Sequence, residues 1–166
     1  NGKGAAYRPP TPGPAVAAEA SEVETILAAI EKTWAQDGSA WASPGDTRFP
    51  SPQIIELYVR KGWDSREEKW LERAEAGAEA TLKLEDPVDH GFYRVAMKPD
   101  WSDPHFEKLL ETNAAMLSAL TQVWRATGEE KFGEAASRTA DYLGTTLAQK
   151  EGGWSASQDA DPDYFV

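Results

Sequence analysis

The sequence predicts an all-α fold, and three observations support this prediction. Apolar residues recur at three- and four-residue steps in five separate segments, which is the spacing of one buried helix face. Each segment has its own start signal, either a capping box or a proline in the first turn. Strand-type alternation is nearly absent, apart from short pieces such as Phe92–Ala96 that could pair locally.

A segment rich in Pro, Gly and Ala precedes the first helix. Residues 1–20 contain four closely spaced prolines, which is typical of an extended arm or linker. We therefore expect an arm over residues 1–20 and a helical-hairpin domain over residues 21–166. The chain begins at Asn1 instead of Met, so we expect either a removed leader or absent upstream residues.

The first two predicted helices are bounded by local signals. A capping box at Ser21 opens the first helix, whose apolar stripe extends to Trp34 before Gly38 ends it. The pair Ser51–Pro52 opens the second helix, which we expect to stop at Gly62.

The third and fifth predicted helices have the same kind of boundaries. A capping box at Ser65 opens the third helix, and Pro87 closes it. A capping box at Thr127 opens the fifth helix, and Gly152 terminates it.

The fourth and central helix is predicted within the stretch Trp101–Trp124, with its start at Asp103–Pro104. Asp103 supplies an N-cap acceptor and Pro104 a first-turn residue whose missing N–H costs nothing there. The predicted buried stripe consists of Phe106, Leu109, Leu110, Asn113, Leu117, Leu120 and Trp124. In this helix His105 and Glu107 flank the stripe, and the polar amide of Asn113 within it needs hydrogen-bond partners.

A weak internal repeat links the helices. Gly38–Trp41, Gly91–Tyr93 and Gly152–Trp154 each place Gly and then an aromatic residue just beyond the first, third and fifth helices. If alternate helices run in the same direction, these loops collect at one end of the array. A binding site is expected at that end.

Composition excludes several classes of protein. The 166 residues are 40% hydrophobic with seven Trp, which suffices for a core, and the net charge of −11 opposes binding to nucleic acid. No apolar run is long enough to cross a bilayer, although peripheral attachment to a membrane complex stays open. The absence of Cys excludes disulfides and thiolate metal sites. We expect neither a metal nor a cofactor.

Several separate motifs resemble one known family. These are Gly91–Arg94, Trp101, Pro104–Leu110 followed by Asn113–Ala114, and Gly152–Ala156 followed by Asp159–Asp161. Their order and spacing are similar to those of thioredoxin-domain proteins related to spermatogenesis-associated protein. The resemblance implies a helical part like the (α/α) toroid of N-acylglucosamine epimerases and six-hairpin glycosidases. It therefore predicts a partial (α/α) toroid of about five helices, or two to three helical hairpins, with the Gly-aromatic loops at one end.

The chain also departs from the family pattern. Arg48 stands where the family usually has Lys, and Gln158–Pro162 replaces a more acidic stretch. The thioredoxin-like part with its Cys pair and the remaining hairpins of the ring are expected to be absent. The chain is then either a piece of a longer protein or a shortened relative.

The resemblance to sugar-processing toroids suggests which residues could form a site. Such toroids line a central pocket with carboxylates, His, Arg and aromatic rings. The catalytic candidates are His105, Glu107, Asp159 and Asp161. The ligand-binding candidates are Trp41, Tyr93, Arg94, Asn113 and Trp154. In the alternative interpretation the loops only pack against one another, and His105 and Glu107 cap or bridge helix ends.

Two functions remain open from the sequence. The first is a non-catalytic accessory or scaffold subunit that docks other protein subunits, or the remainder of its own polypeptide, through exposed helix faces. The second is a fragment of a carbohydrate-binding or sugar-modifying enzyme. The sequence leaves the cellular compartment open, with export compatible with the proline-rich arm.

Overall fold

The computed structural model describes residues 20–34, 41 and 45–159. They fall into two compact units, one ending at Lys32 and the other beginning at Thr33. The helices are α1 Ala20–Glu31, α2 Pro52–Ser65, α3 Glu68–Thr81, α4 Leu110–Thr127 and α5 Glu130–Tyr142. A 3-10 turn, Leu82–Leu84, extends α3, and a π-helical turn, Leu143–Leu147, extends α5. The strands are β1 Val95–Ala96, β2 Pro104–His105, β3 Lys108–Leu109 and β4 Ser157–Gln158. The predicted all-α class is confirmed.

Helices α2 to α5 form two helical hairpins. Helix α2 packs against α3, α4 packs against α5, and α4 also contacts α2 and α3. The core between them contains Ile55, Tyr58, Val59, Trp70, Ala74, Ala78, Met116, Ala119, Leu120, Val123, Phe132, Ala135 and Ala136. Small alanines on α3 and α5 let the helices approach closely, while aromatic rings fill the wider spaces.

The first helix differs from its prediction at both ends. Helix α1 already includes Ser21, so this residue lies within the helix, and the helix ends at Glu31 before Trp34. Trp34 instead forms an isolated antiparallel bridge with Trp41, and their rings meet edge to face at 5.0 Å. The predicted end at Gly38 lies outside the described residues.

The predicted boundary between the second and third helices was also wrong. Helix α2 continues through Gly62, which packs closely against Leu71 of α3, and ends at Ser65. The Ser65 hydroxyl donates to the Lys61 carbonyl at 2.8 Å and accepts the Glu67 N–H at 3.2 Å. Ser65 therefore serves the end of α2 rather than the start of α3.

The central helix begins later than predicted. Helix α4 starts at Leu110, because Pro104–His105 and Lys108–Leu109 are strands. Trp101 and Asp103 have φ angles of 69° and 59°, which are incompatible with a right-handed helix. Phe106 and Trp124, predicted to be buried, are exposed. The buried face of α4 consists of Asn113, Met116, Ala119, Leu120 and Val123.

The fifth helix begins close to its predicted start but ends early. Thr127 is the last residue of α4, and its hydroxyl donates to the Val123 carbonyl at 2.9 Å and accepts the Glu129 N–H at 3.2 Å. Helix α5 starts at Glu130, and its π-helical extension ends at Leu147, before the predicted stop at Gly152.

Each of the three Gly-aromatic loops forms one antiparallel bridge. The bridges join Trp34 with Trp41, Glu85 with Phe92, and Ala148 with Trp154. Backbone pairing then ties neighbouring segments together: Arg48 pairs with Ala96, β1 pairs with β2, and β3 pairs with β4. We name residues 45–50, 85–109 and 148–159, which these pairings connect, the loop end.

Candidate functional site

The centre of the loop end is a buried ion pair that the sequence analysis missed. Lys108 on β3 is only 2% exposed. Its Nζ donates to Asp86 Oδ2 at 2.7 Å and to the His90 carbonyl at 2.8 Å. Asp86 and Lys108 lie 22 positions apart, so no local spacing rule joins them. This pair fixes the 86–90 turn against β3.

Aromatic rings enclose the Lys108 ammonium. Its Nζ lies 4.8 Å from the ring centroid of Tyr142 and 5.4 Å from that of Tyr93, within cation–π range. The Tyr142 ring also touches the backbone of Gly91, where a Cβ would come within 2.5 Å of Tyr142 Cδ1. Gly91 has a φ of 69°, so both its conformation and its surroundings favour glycine.

Asp86 remains ionised because donors surround it. The Val88 N–H donates to Asp86 Oδ1 at 2.8 Å, in addition to the Lys108 contact. Burial, the largest influence, raises the pKa of Asp86. The Lys108 ammonium and the Val88 N–H outweigh burial, so the pKa lies below its ordinary value of 3.8.

The pKa values of Tyr93 and Tyr142 are raised, in contrast to the lowered pKa of Asp86. Burial, followed by the neighbouring Asp86 carboxylate, raises the pKa of Tyr93. Burial, followed by the charges of Asp86 and Asp89, raises the pKa of Tyr142 to about 12. Both phenols are therefore neutral hydrogen-bond donors at neutral pH, and the Tyr142 hydroxyl donates to Gln158 Oε1 at 3.1 Å.

Asn113 joins the first turn of α4 to the Gly91 loop. Its Oδ1 accepts the Phe92 N–H at 2.6 Å, and its Nδ2 donates to the Phe92 carbonyl at 3.1 Å and to the Leu109 carbonyl at 2.9 Å. The side chain is completely buried. These contacts supply the partners that a buried amide needs.

A second ion pair lies nearer to solvent. Arg94 Nη1 is 2.7 Å from Glu107 Oε2, and the Arg94 N–H donates to the Glu107 carbonyl at 2.8 Å. Beside them the rings of Tyr93 and Phe106 meet edge to face, with centroids 5.2 Å apart. Phe106 is 51% exposed, so the loop end presents an aromatic surface next to a guanidinium and a carboxylate.

A third charged group ties this region to α5. Arg138 donates to both carboxylate oxygens of Glu85, from Nε at 2.6 Å and from Nη2 at 2.8 Å. His90 Nδ1 lies 3.7 Å from Glu85 Oε1. Hydrogen bonding to Glu85 raises the pKa of Arg138. This bidentate contact anchors the start of the 85–109 segment.

The predicted site residues occupy different environments. Tyr93, Arg94 and Glu107 come together as described above, whereas His105 is exposed on β2 opposite Val95. Asp159 is exposed directly after β4, and Asp161 lies outside the described residues.

The two tryptophan candidates differ in how far they are buried. Trp41 is buried, and its ring lies 5.1 Å from that of Tyr58 in the helix core. Trp154 is exposed at the loop end.

The described residues form neither a metal-binding cluster nor a membrane-spanning helix. They contain no group of three or more His, Cys, Asp or Glu side chains arranged to hold a metal ion. Within the same part of the chain, every helix is too short or too polar to span a membrane.

The architecture is that of part of an (α/α) toroid. Cellobiose 2-epimerase from Spirochaeta thermophila DSM 6192 superposes on 85% of this chain and 39% of its own, with a TM-score of 0.74 and 20% identity. A family 76 glycoside hydrolase from a bovine Bacteroides thetaiotaomicron strain superposes on 87% of this chain and 33% of its own, with a TM-score of 0.70 and 18% identity. At these identities the similarity shows the fold alone. It confirms the predicted partial (α/α) toroid.

Sequence similarity identifies a particular relative. The chain is 31% identical over 120 residues to spermatogenesis-associated protein 20 of Mus musculus. This match covers 69% of the chain and 15% of the relative's length. Over this region the chain is homologous to spermatogenesis-associated protein 20, which confirms the resemblance seen in its motifs. No protein-family profile matches the chain.

Proposed function

We propose that this chain contributes to a carbohydrate-binding site of an (α/α) toroid, with the loop end forming part of the pocket wall. The observation that carries the proposal is the exposed Phe106 ring, supported by Tyr93 and placed beside the Arg94–Glu107 ion pair. The toroid proteins of known structure that share this fold include a cellobiose 2-epimerase and a glycoside hydrolase, which supports carbohydrate as the ligand class.

The chemistry of these side chains suits a sugar. A pyranose ring has apolar C–H faces, which pack against aromatic rings, and a rim of hydroxyls, which need donors and acceptors. Phe106 offers the aromatic face, Arg94 offers N–H donors and Glu107 offers acceptor oxygens. The ion pair holds both charged groups in place before a ligand arrives, so less side-chain entropy is lost on binding.

The buried contacts explain how this wall is held rigid. The Lys108–Asp86 pair and the three hydrogen bonds of Asn113 join residues close to Tyr93 and Phe106 in the chain, namely Phe92, Lys108 and Leu109. In this proposal they are positioning residues, since their polar atoms are already satisfied inside the protein.

Titration with neutral oligosaccharides tests the proposal. Binding of cello- and manno-oligosaccharides is measured by calorimetry for the wild type and for Phe106→Ser and Trp154→Ser. Each substitution removes an exposed ring at the loop end, so we expect affinity to fall by at least about fivefold.

A matched control is available on another part of the chain. Trp63 and Trp154 are both 53% exposed, but Trp63 lies near the end of α2 that is remote from Arg48 and Ala96. Trp63→Ser should leave sugar affinity unchanged. Equal losses in Trp63→Ser and Trp154→Ser, or no sugar binding by the wild type, would refute the proposal.

A specific observation favours a second function, the docking of other helices or subunits. Trp63 on α2 and Trp124 on α4 are exposed indoles near the C-terminal ends of helices that pack against each other. Large exposed aromatic residues are enriched where proteins associate. In this second proposal the two rings contact further protein, in the manner of an accessory subunit.

Sedimentation velocity over a range of protein concentrations tests docking between copies. The Trp63→Gln/Trp124→Gln variant should associate more weakly than the wild type, and Trp154→Gln should not. The docking function predicts association either between copies of the chain or between the chain and a full-length relative. A wild type that stays monomeric in both measurements, at every concentration, would contradict it.

A further inference from the structure

Arg48 is a buried cation whose charge is not balanced by a neighbouring carboxylate. The residue is 8% exposed, and its Nε is buried without a hydrogen-bond partner. Its Nη1 donates to the carbonyl of the adjacent Thr47 at 3.2 Å. Among the residues that the structure describes, no Asp or Glu oxygen forms an ion pair with it.

This arrangement is costly for the isolated protein. A guanidinium carries five N–H donors and a positive charge, so burial removes Arg48 from the water that would otherwise solvate that charge. A buried charge without a partner destabilises a protein unless an opposite charge reaches it. Binding of an anion beside Arg48 would therefore stabilise the protein.

The backbone places Arg48 at the loop end. The Arg48 N–H donates to the Ala96 carbonyl, and the Ala96 N–H donates to the Arg48 carbonyl, both at 2.9 Å. Residues paired in this way project their side chains to the same face of a ladder. Ala96 pairs in turn with Pro104, and neither has a side-chain acceptor to offer the guanidinium.

We propose that Arg48 is the anion-binding residue of the loop end and takes an oxyanion through its guanidinium. The two sources of this chemistry are the carboxylate of an acidic sugar and a free or sugar-linked phosphate. A guanidinium forms strong, charge-assisted hydrogen bonds with either group. The acidic-sugar form of the proposal rests on the carbohydrate function proposed above and narrows its ligand class.

Binding measurements distinguish the two sources. Glucuronate, glucose and inorganic phosphate are titrated separately into the intact chain at constant ionic strength and followed by calorimetry. Glucuronate binding that exceeds glucose binding identifies an acidic sugar, and phosphate binding without glucuronate binding identifies phosphate. In either case Arg48→Gln should lower the affinity for the anion by about tenfold or more. Arg48→Lys should retain only part of the wild-type affinity.

The matched control is Arg60→Gln, which removes an exposed guanidinium from α2. It changes the net charge equally and should leave anion affinity within about twofold of the wild type. Equal anion affinity in wild type and Arg48→Gln, or no binding of either anion by the wild type, would overturn the proposal.

Thermal unfolding gives a second readout that needs no ligand. In anion-free buffer, Arg48→Met removes an unbalanced buried charge, so its melting temperature should equal or exceed that of the wild type. A large drop in melting temperature, or failure to fold, would mean that Arg48 is paired within the protein and would overturn the proposal.

The outcomes also separate this proposal from the carbohydrate function. Neutral sugar binding that depends on Phe106, without Arg48-dependent anion binding, refutes the anion site and leaves the carbohydrate function standing. Arg48-dependent phosphate binding without any sugar binding supports the anion site and refutes the carbohydrate function.

Discussion

Replacing Asp86 with Asn should destabilise the protein by removing the counter-charge of a buried ammonium. Asn keeps the size of the side chain, and its Oδ1 can still accept the Val88 N–H. The change therefore isolates the charge that faces Lys108, whose Nζ lies 2.7 Å from the carboxylate. In the variant the ammonium stays buried with neutral acceptors only.

The size of the effect follows from burial. Removing one partner of a buried ion pair costs about 3–5 kcal/mol. The Asp86 side chain is 12% exposed, so water can partly reach it, which places the expected loss near the lower value. For a chain of this size about 3 kcal/mol corresponds to a fall in melting temperature of roughly 6–12 °C.

A double-mutant cycle measures the pair directly. Urea unfolding gives the unfolding free energy of the wild type, Asp86→Asn, Lys108→Met and the double variant. Because the double variant buries neither charge, it should be much more stable than the sum of the single losses predicts. Additive losses, or a loss below about 1 kcal/mol for Asp86→Asn, would show that the two charges do not depend on each other for stability.

The same pair predicts a pH dependence. The folded-state pKa of Asp86 is below its ordinary value of 3.8, so its contribution to stability is complete above that pH. The contribution is lost as the pH falls through the folded-state pKa. Stability should therefore fall less steeply below about pH 4 in Asp86→Asn than in the wild type, as measured by urea unfolding at each pH.

Three further predictions concern the same region. Gly91→Ala should cost about 2–4 kcal/mol in urea unfolding, because the residue has a φ of 69° and the new Cβ meets Tyr142, whereas Gly144→Ala, with open space around it, should be neutral or stabilising. Asn113→Leu should cost about 3 kcal/mol or more and speed hydrogen exchange at the Phe92 amide, since it leaves buried backbone groups unpaired; unchanged exchange would contradict this. Burial raises the pKa of Tyr142 to about 12 in the folded state, from an ordinary value of 10. Its contribution to stability is therefore complete below pH 10 and is lost as the pH rises to about 12. Tyr142→Phe should reduce this alkaline loss, as measured by unfolding at each pH.

Periodicity predicted the helices well because it reports local burial. Helices α2, α3 and α5 lie where apolar residues recur at helical steps, and their ends differ from the predictions by a few residues. Ser65 and Thr127 were predicted to open the helices that follow them, but each is the last residue of the helix before it and donates to a carbonyl of that helix.

The start of α4 could not be predicted from local signals. Asp103 followed by Pro104 reads as a helix start, but pairing with distant segments competes with that choice. Lys108–Leu109 pairs with Ser157–Gln158, and no sequence rule of short range identifies such a partner. The helix therefore begins only after these strands.

The candidate site was predicted only in part, because local patterns reveal some of its residues and long-range contacts supply the others. The repeat of Gly and aromatic residues located the loops, and each of them closes with an antiparallel bridge. Asn113 was recognised because an amide within an apolar stripe needs partners. Lys108 was missed because a charged residue is expected on the surface, and its partner Asp86 is supplied only by the folded turn.

The most direct test of a sugar-binding loop end is an NMR titration of the ¹⁵N-labelled chain with cello-oligosaccharide. If the loop end binds sugar, chemical shifts should change at the Trp154 indole and at the amides of Arg94, Phe106 and Glu107, with the Trp63 indole unchanged. Shift changes confined to the helix faces near Trp63 and Trp124, or none at saturating sugar, would contradict sugar binding at the loop end.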